Sequence, residues 1–198
     1  MSYTREQIEA AVKAKGYAWF DDAANKGFDV NIVGIRNSAT EQVVTNAFDD
    51  TLTISYKENG QWKFHSWSAT TDPGKKGVLE YHNAAGVARL VEGQYRGSHA
   101  IGLHQGKYEA LKQAKNVKVY RDANKDLTYN EDKIQEGVFG INIHKAGVDS
   151  TYVENWSEGC QVFKRAKDFE EFMVIMRKAA AVHGNSFTYT LIESADIK

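Results

Sequence analysis

The stretch from Gly137 to Phe163, GVFGINIHKAGVDSTYVENWSEGCQVF, holds His144 and, sixteen positions later (160 − 144), Cys160. Cys160 is the chain's one cysteine, so no internal disulfide can form. A lone cysteine reads either as a small buried apolar residue or, with a suitable histidine elsewhere, as a nucleophile. A thiol attacks poorly until it is ionised, and a neighbouring imidazole promotes that step. Gly159 lets the backbone approach closely, and N–H groups near Gly159 and Cys160 are placed to form an oxyanion hole for a tetrahedral intermediate. The chemistry expected of these residues is acyl transfer, with Cys160 as nucleophile and His144 as base.

The elements that must position them read as mostly β. Residues 138–144 are expected to form a strand, with Phe139, Ile141 and Ile143 on one face and Asn142 and His144 on the other. Upstream, Leu52, Ile54 and Tyr56 alternate with polar residues, and Asn59-Gly60 is a strong hairpin signal before Trp62 and Phe64. Thr71-Asp72-Pro73-Gly74 reads as a turn. Further strands are expected at 31–36, 78–81, 87–91, 99–104 and 117–121, and a last one through Phe187, Tyr189 and Leu191. Thr4 and Gln7 form a capping-box pattern before a short helix that stops at Gly16. Lys107 to Ala114 reads as a helical turn or two. Asp168 reads as the cap of a longer helix with Phe169, Phe172, Met173, Met176 and Ala180 on one face, ending at Gly184. The fold class expected is a β-rich α+β domain, with residues 1–49 as a helix and extension packed on a catalytic domain at 50–198.

At this point the sequence resembles the L,D-transpeptidase catalytic domain (YkuD-like). That family carries a His followed, after a loop of about this length, by a Ser/Thr-His-Gly-Cys signature, and Ser157, Gly159 and Cys160 follow His144 in the same order. Thr71-Asp72-Pro73-Gly74 loosely resembles the family's upstream Thr-Pro-x-Gly region. The resemblance covers roughly residues 50–192 and is sharp only over 139–163. The Ile-His and Trp-Ser-x-Gly-Cys-Gln-Val style also resembles divergent members among bacteriophage-encoded proteins, an endolysin-like origin. It implies a β-sandwich-like sheet with a few peripheral helices, the Cys and His standing at the edge of a groove. It also implies peptidoglycan stem peptides as substrate, an acyl-enzyme on Cys160, His144 as base and Gly159 as oxyanion support. Ser157 would then shape the turn or orient His144. Water as acceptor gives an endopeptidase or L,D-carboxypeptidase that degrades cell wall; an amine acceptor gives transpeptidation or amino-acid exchange. A catalytically inactive wall-binding or virion module is the third reading.

Two positions depart from the family's pattern. Glu158 stands where a second His is usual, and Val162 where Arg or Asn is usual. A carboxylate facing a thiol raises its pKa, so Glu158 is expected to point away or to bind a cationic part of the substrate. Trp156 is expected in the core or as a wall of the groove. His104, Tyr95 and Asn142 are candidates for the substrate side.

Composition bounds the rest. A formal charge of −1 does not suit a general nucleic-acid binder, and 12% aromatic content argues against disorder. No run approaches the ~20 apolar residues of a membrane span. The first fifteen residues lack the apolar centre of a signal peptide. The expectation is therefore synthesis in the cytoplasm and action on the wall, in the periplasm, after delivery by a holin, a virion or a secretion system. No cofactor or metal is expected. Asp122, Asn124 and Asp126 have the first spacings of a calcium loop. Leu127 replaces its Gly, however, and Lys133 its closing Glu, so a hairpin turn is the better reading.

Overall fold

The computed structural model describes residues 3–40 and 42–198. In chain order the elements are α1 (Arg5–Ala14), β1 (Asn31–Arg36), β2 (Asp50–Glu58), β3 (Gln61–Thr70), α2 (Lys75–Glu80), β4 (Val87–Leu90), β5 (Gly93–His104) and β6 (Tyr108–Gln113). There follow β7 (Val117–Asp122), β8 (Ile134–Gly137), β9 (Ile143–Lys145), β10 (Gln161–Phe163), α3 (Ala166–His183) and β11 (Phe187–Glu193). The result is a strand-rich α+β fold with few helices. Among the described residues, eight strands close into a barrel in the order β1-β11-β5-β6-β9-β10-β3-β2, and β4-β7-β8 form a separate sheet. The expected sandwich-like sheet is thus corrected to a barrel, whose closure removes free strand edges. No helix among the described residues is long and apolar enough to cross a membrane.

Local signals account for much of this. Thr4 accepts from the Gln7 N–H, and the Gln7 side chain returns the bond, completing the capping box of α1. Ile8, Ala11 and Val12 then cover Val33 and Ile35 of β1 together with Ile192. Ile32 faces the main core with Tyr189 and Leu191. Because α1 seals one face and the core the other, all six residues of β1 are buried. The strand pairs with both β2 and β11, so the first fifty residues supply a barrel strand as well as a helix. Asn59 and Gly60 take positive φ and turn β2 into β3.

Four expectations are corrected. Residues 107–114 hold no helix: β6 pairs with β5 across a turn at Gln105-Gly106, both at positive φ. Its local pattern is ambiguous, and the barrel supplies the pairing that decides it. Residues 78–81 fall largely in the short helix α2 rather than a strand. Of 138–144, only Ile143 and His144 are strand. Gln113 bends the preceding segment: its Oε1 accepts from the N–H groups of Phe139 and Ile141, and its Nε2 donates to the Gly137 carbonyl. Finally, Arg165, not Asp168, stands at the N-cap of α3. Asp168 lies in the first turn, where it accepts from Arg165 Nε at 2.8 Å and its charge suits the helix N-terminus. Phe169, Phe172, Met173 and Met176 do form the buried face of α3, and Gly184 ends the helix at positive φ.

Candidate active site

Strands β9 and β10 run parallel, with Val162 opposite His144, and the Gln161 N–H donates to the Asn142 carbonyl at 2.9 Å. Side by side they bring Cys160, just before β10, to the strand that carries His144. Both open onto one cavity of about 410 Å³. His104, Gln105, Lys107, Tyr108, Lys145, Asn155, Trp156 and Glu158 complete its lining. A cavity of about 340 Å³ elsewhere, lined by Asp29, Arg96, Lys115 and His183 among others, contains none of the site residues expected from sequence.

The turn that presents Cys160 is built by Ser157. Its side chain is fully buried; Oγ donates to the Cys160 carbonyl at 2.8 Å and accepts from the Gly159 N–H at 3.2 Å. Ser157 therefore shapes the turn and has no bond to His144. The same geometry corrects the role expected of Gly159, whose N–H is already engaged and not free for an oxyanion. Gly159 is needed for another reason: its φ is +132°, and a Cβ there would lie 2.0 Å from the Ala88 carbonyl oxygen. The Thr71–Gly74 turn packs beneath, with the Gly74 N–H donating to the Ser157 carbonyl at 2.9 Å.

His144 is 5% exposed. Its Nδ1 lies 2.8 Å from the Lys145 carbonyl, which can only accept, so Nδ1 carries the proton and Nε2 the lone pair of the neutral ring. His104 stacks on it with ring centroids 4.2 Å apart. Burial, and then the neighbouring His104, lower the His144 pKa to about 4. Burial, with Lys112 and Lys107, lowers that of His104. Cys160 keeps part of its surface open to the cavity; desolvation of the remainder pushes its thiol up to about 11, opposed by the Asn142 N–H and reinforced by the Glu158 charge. The thiol proton points to the Gly140 carbonyl, 3.3 Å from Sγ. Near neutral pH the resting pair is therefore a neutral thiol and a neutral imidazole rather than an ion pair.

The remaining candidates separate. Glu158 and Trp156 both line the cavity, Trp156 with 45% of its surface exposed, so it is a wall and not core. Glu158 faces the site rather than away from it, and burial raises its pKa. Asn142 sits behind the histidines: its amide donates to His104 Nδ1 at 3.4 Å, and its Oδ1 accepts from the Gln113 N–H. Tyr95 is not brought to the site. Its hydroxyl donates to the Val91 carbonyl at 2.7 Å, on a β5 segment paired with β11.

Sequence reasoning missed Gln161. Fully buried, it donates through Nε2 to the Gly159 carbonyl at 3.2 Å and the Thr71 carbonyl at 3.4 Å. Its Oε1 accepts from the Tyr189 hydroxyl at 2.7 Å. Lys107 and Lys145, which bring positive charge to the cavity rim, were missed as well. Neither lysine stands in a spacing that sequence reading would single out, and Gln161 enters there only as part of the Cys-Gln-Val pattern, without a role. No family model matches the chain, and no curated protein and no solved structure matches it either.

Proposed function

We propose that the protein is a cysteine-dependent acyl-transfer enzyme that hydrolyses peptidoglycan stem peptides, as an endopeptidase or L,D-carboxypeptidase, through an acyl-enzyme on Cys160. The observation that carries this reading is the opening of Cys160, His144 and His104 onto one cavity, with the lone pair of His144 left free by its bond to the Lys145 carbonyl.

The neutral resting pair favours proton transfer concerted with attack over a pre-formed thiolate. As Sγ bonds to the substrate carbonyl carbon, its proton passes to His144 Nε2. The amine leaves with that proton as the C–N bond breaks. Water then attacks the thioester, giving its proton to His144, and the thiol is restored as the carboxylic acid departs. Lys107 and Lys145 suit the carboxylates of a stem peptide, and Glu158 suits an ammonium group.

The test is incubation of the wild type and Cys160→Ala with purified peptidoglycan, followed by mass spectrometry of the muropeptides. Water-added fragments from the wild type alone support hydrolysis. New cross-links or exchanged terminal residues replace it with transpeptidation. One observation favours a second reading, an inactive wall-binding module: the thiol donates to the Gly140 carbonyl at 3.3 Å. Unchanged muropeptides from both proteins, together with co-sedimentation on intact walls, decide for it.

A further inference from the structure

A tetrahedral intermediate at Cys160 needs hydrogen-bond donors for its oxyanion, and the backbone flanking the thiol is largely spent. The Gly159 N–H goes to Ser157 Oγ at 3.2 Å, and the Gln161 N–H to the Asn142 carbonyl at 2.9 Å. The Tyr108 hydroxyl, also on the cavity, donates to the Lys145 carbonyl at 3.5 Å. His104 is in the opposite condition. The residue is 8% exposed, lines the cavity, and among the described residues its Nε2 has no hydrogen-bond partner.

A relay of hydrogen bonds fixes the tautomer of this ring. The Gln113 N–H donates to Asn142 Oδ1 at 2.9 Å, so the other end of that amide, Nδ2, is turned to His104. Nδ2 can only donate, at 3.4 Å, so His104 Nδ1 accepts and the proton of the neutral ring sits on Nε2. His144 is fixed the other way, with its proton on Nδ1 and its lone pair on Nε2. The two rings stack with centroids 4.2 Å and planes 21° apart, and both open onto the cavity with Cys160. One ring therefore offers a base and its neighbour a donor. Burial, with Lys112 and Lys107, lowers the His104 pKa, so the ring is neutral near neutral pH.

We propose that His104 is a further catalytic residue, whose Nε2–H donates to the oxygen of the scissile carbonyl as that oxygen becomes an oxyanion. The inference rests on the acyl-transfer reading above. As Sγ bonds to the carbonyl carbon, the C=O π pair moves onto oxygen and His104 Nε2–H holds it there; no proton leaves His104. The pair returns as the C–N bond breaks, and the donor acts again when water attacks the thioester. A neutral imidazole suits this task better than an imidazolium. A charge stacked on His144 would oppose the protonation of His144 that the same step requires.

The experiment separates donation to an oxyanion from the reactivity of the thiol. Acetylation of Cys160 by p-nitrophenyl acetate passes through an oxyanion, whereas alkylation by iodoacetamide does not. Both rates are read by mass spectrometry of the full chain for the wild type, His104→Phe and His104→Gln, with muropeptide hydrolysis in parallel. His104→Phe keeps a ring to stack on His144 and loses the N–H. Its acetylation is expected to fall about 100- to 1000-fold while alkylation changes less than about threefold. His104→Gln, which keeps an N–H donor, should lie between. Acetylation unchanged in His104→Phe would overturn the proposal. So would a parallel fall of both reactions, which marks an effect on the thiol itself, and so would a wild-type thiol that the ester does not acetylate. If His104→Phe fails to fold, the acetylation-to-alkylation ratio of His104→Gln decides: a lowered ratio supports the role and an unchanged one overturns it. Acetylation that depends on His104, with peptidoglycan left intact, upholds the role of His104 and sinks the substrate assignment instead.

Discussion

Two regions on either side of the Cys160 turn treat ionisable groups in opposite ways. In the cavity, thiol and imidazoles are desolvated and kept neutral, each with few bonds. Behind the turn, Arg36 is 2% exposed, charged and saturated: it donates to Glu92 at 2.7 Å, to the Thr71 and Leu90 carbonyls at 3.2 and 3.0 Å, and lies 2.8 Å from Asp72. Asp50, pushed up to about 7 by burial and then by Asp72, accepts from the N–H groups of Thr71 and Asn37. Gln161 joins the two regions, since its amide and Arg36 share the Thr71 carbonyl. The difference teaches that the Arg36 charge is held by bonds and carboxylates on every side, whereas the cavity's thiol and imidazoles have few partners and burial leaves them neutral; Asp50 lies between the two, partly discharged beside Asp72 in spite of its N–H donors.

Cys160→Ala should break the contrast most sharply. It is expected to lower muropeptide hydrolysis at least about a thousandfold and to leave Tm nearly unchanged; retained activity would refute the assigned role. Arg36→Met should do the reverse. Removing one partner of a buried charge network costs about 3–5 kcal/mol, read as a lowered denaturant midpoint, whereas a midpoint close to wild type would show that the network contributes little.

Imidazole titration offers a third test. His99 is fully buried, with Nε2 donating to the Ile141 carbonyl at 2.8 Å and Nδ1 facing the Ser98 hydroxyl. Desolvation lowers its pKa from 6.5 to about 4. Between those values the unfolded chain binds the proton and the folded one does not. The stability it contributes is therefore complete above pH 6.5 and is lost as pH falls towards 4. The shift corresponds to about 3 kcal/mol. His99→Gln should flatten the loss relative to wild type, and parallel pH profiles for the two would count against the assignment.

The thiol gives a smaller effect. At pH 8 a group at about 11 is ionised to about one part in a thousand, against roughly a quarter for free cysteine, so alkylation of Cys160 should be about 200-fold slower than that of free cysteine. Its rate should climb steeply with pH; a plateau below pH 8 would mean a thiolate–imidazolium pair instead. Smallest of all, Glu158→Gln removes a charge that raises the thiol, so alkylation should quicken about two- to fivefold.

How much was legible follows from how local each cause is. The capping box of α1, the Asn59-Gly60 turn, the apolar face of α3 and the Gly184 stop depend on neighbours in sequence, and all appear where the sequence puts them. That His144 and Cys160 open onto one cavity agrees with the segment the residue types singled out. Strand β6 was not, because its partner β5 decides its conformation. Nor was the bend at 138–142, because its hydrogen bonds come from Gln113. Tyr95 looked available in sequence, yet its hydroxyl is committed to the Val91 carbonyl.

The sequence by itself determined the elements whose hydrogen bonds and apolar periodicity close within a few residues, and it supplied the one thiol and the histidines that line its cavity. Only the tertiary structure decided that His104 stacks on His144, that Ser157 takes up the Gly159 N–H, and that Glu158 lines the same cavity as the thiol. Desolvation and long-range hydrogen bonds set these features, and both depend on which distant segments the barrel's closure brings together.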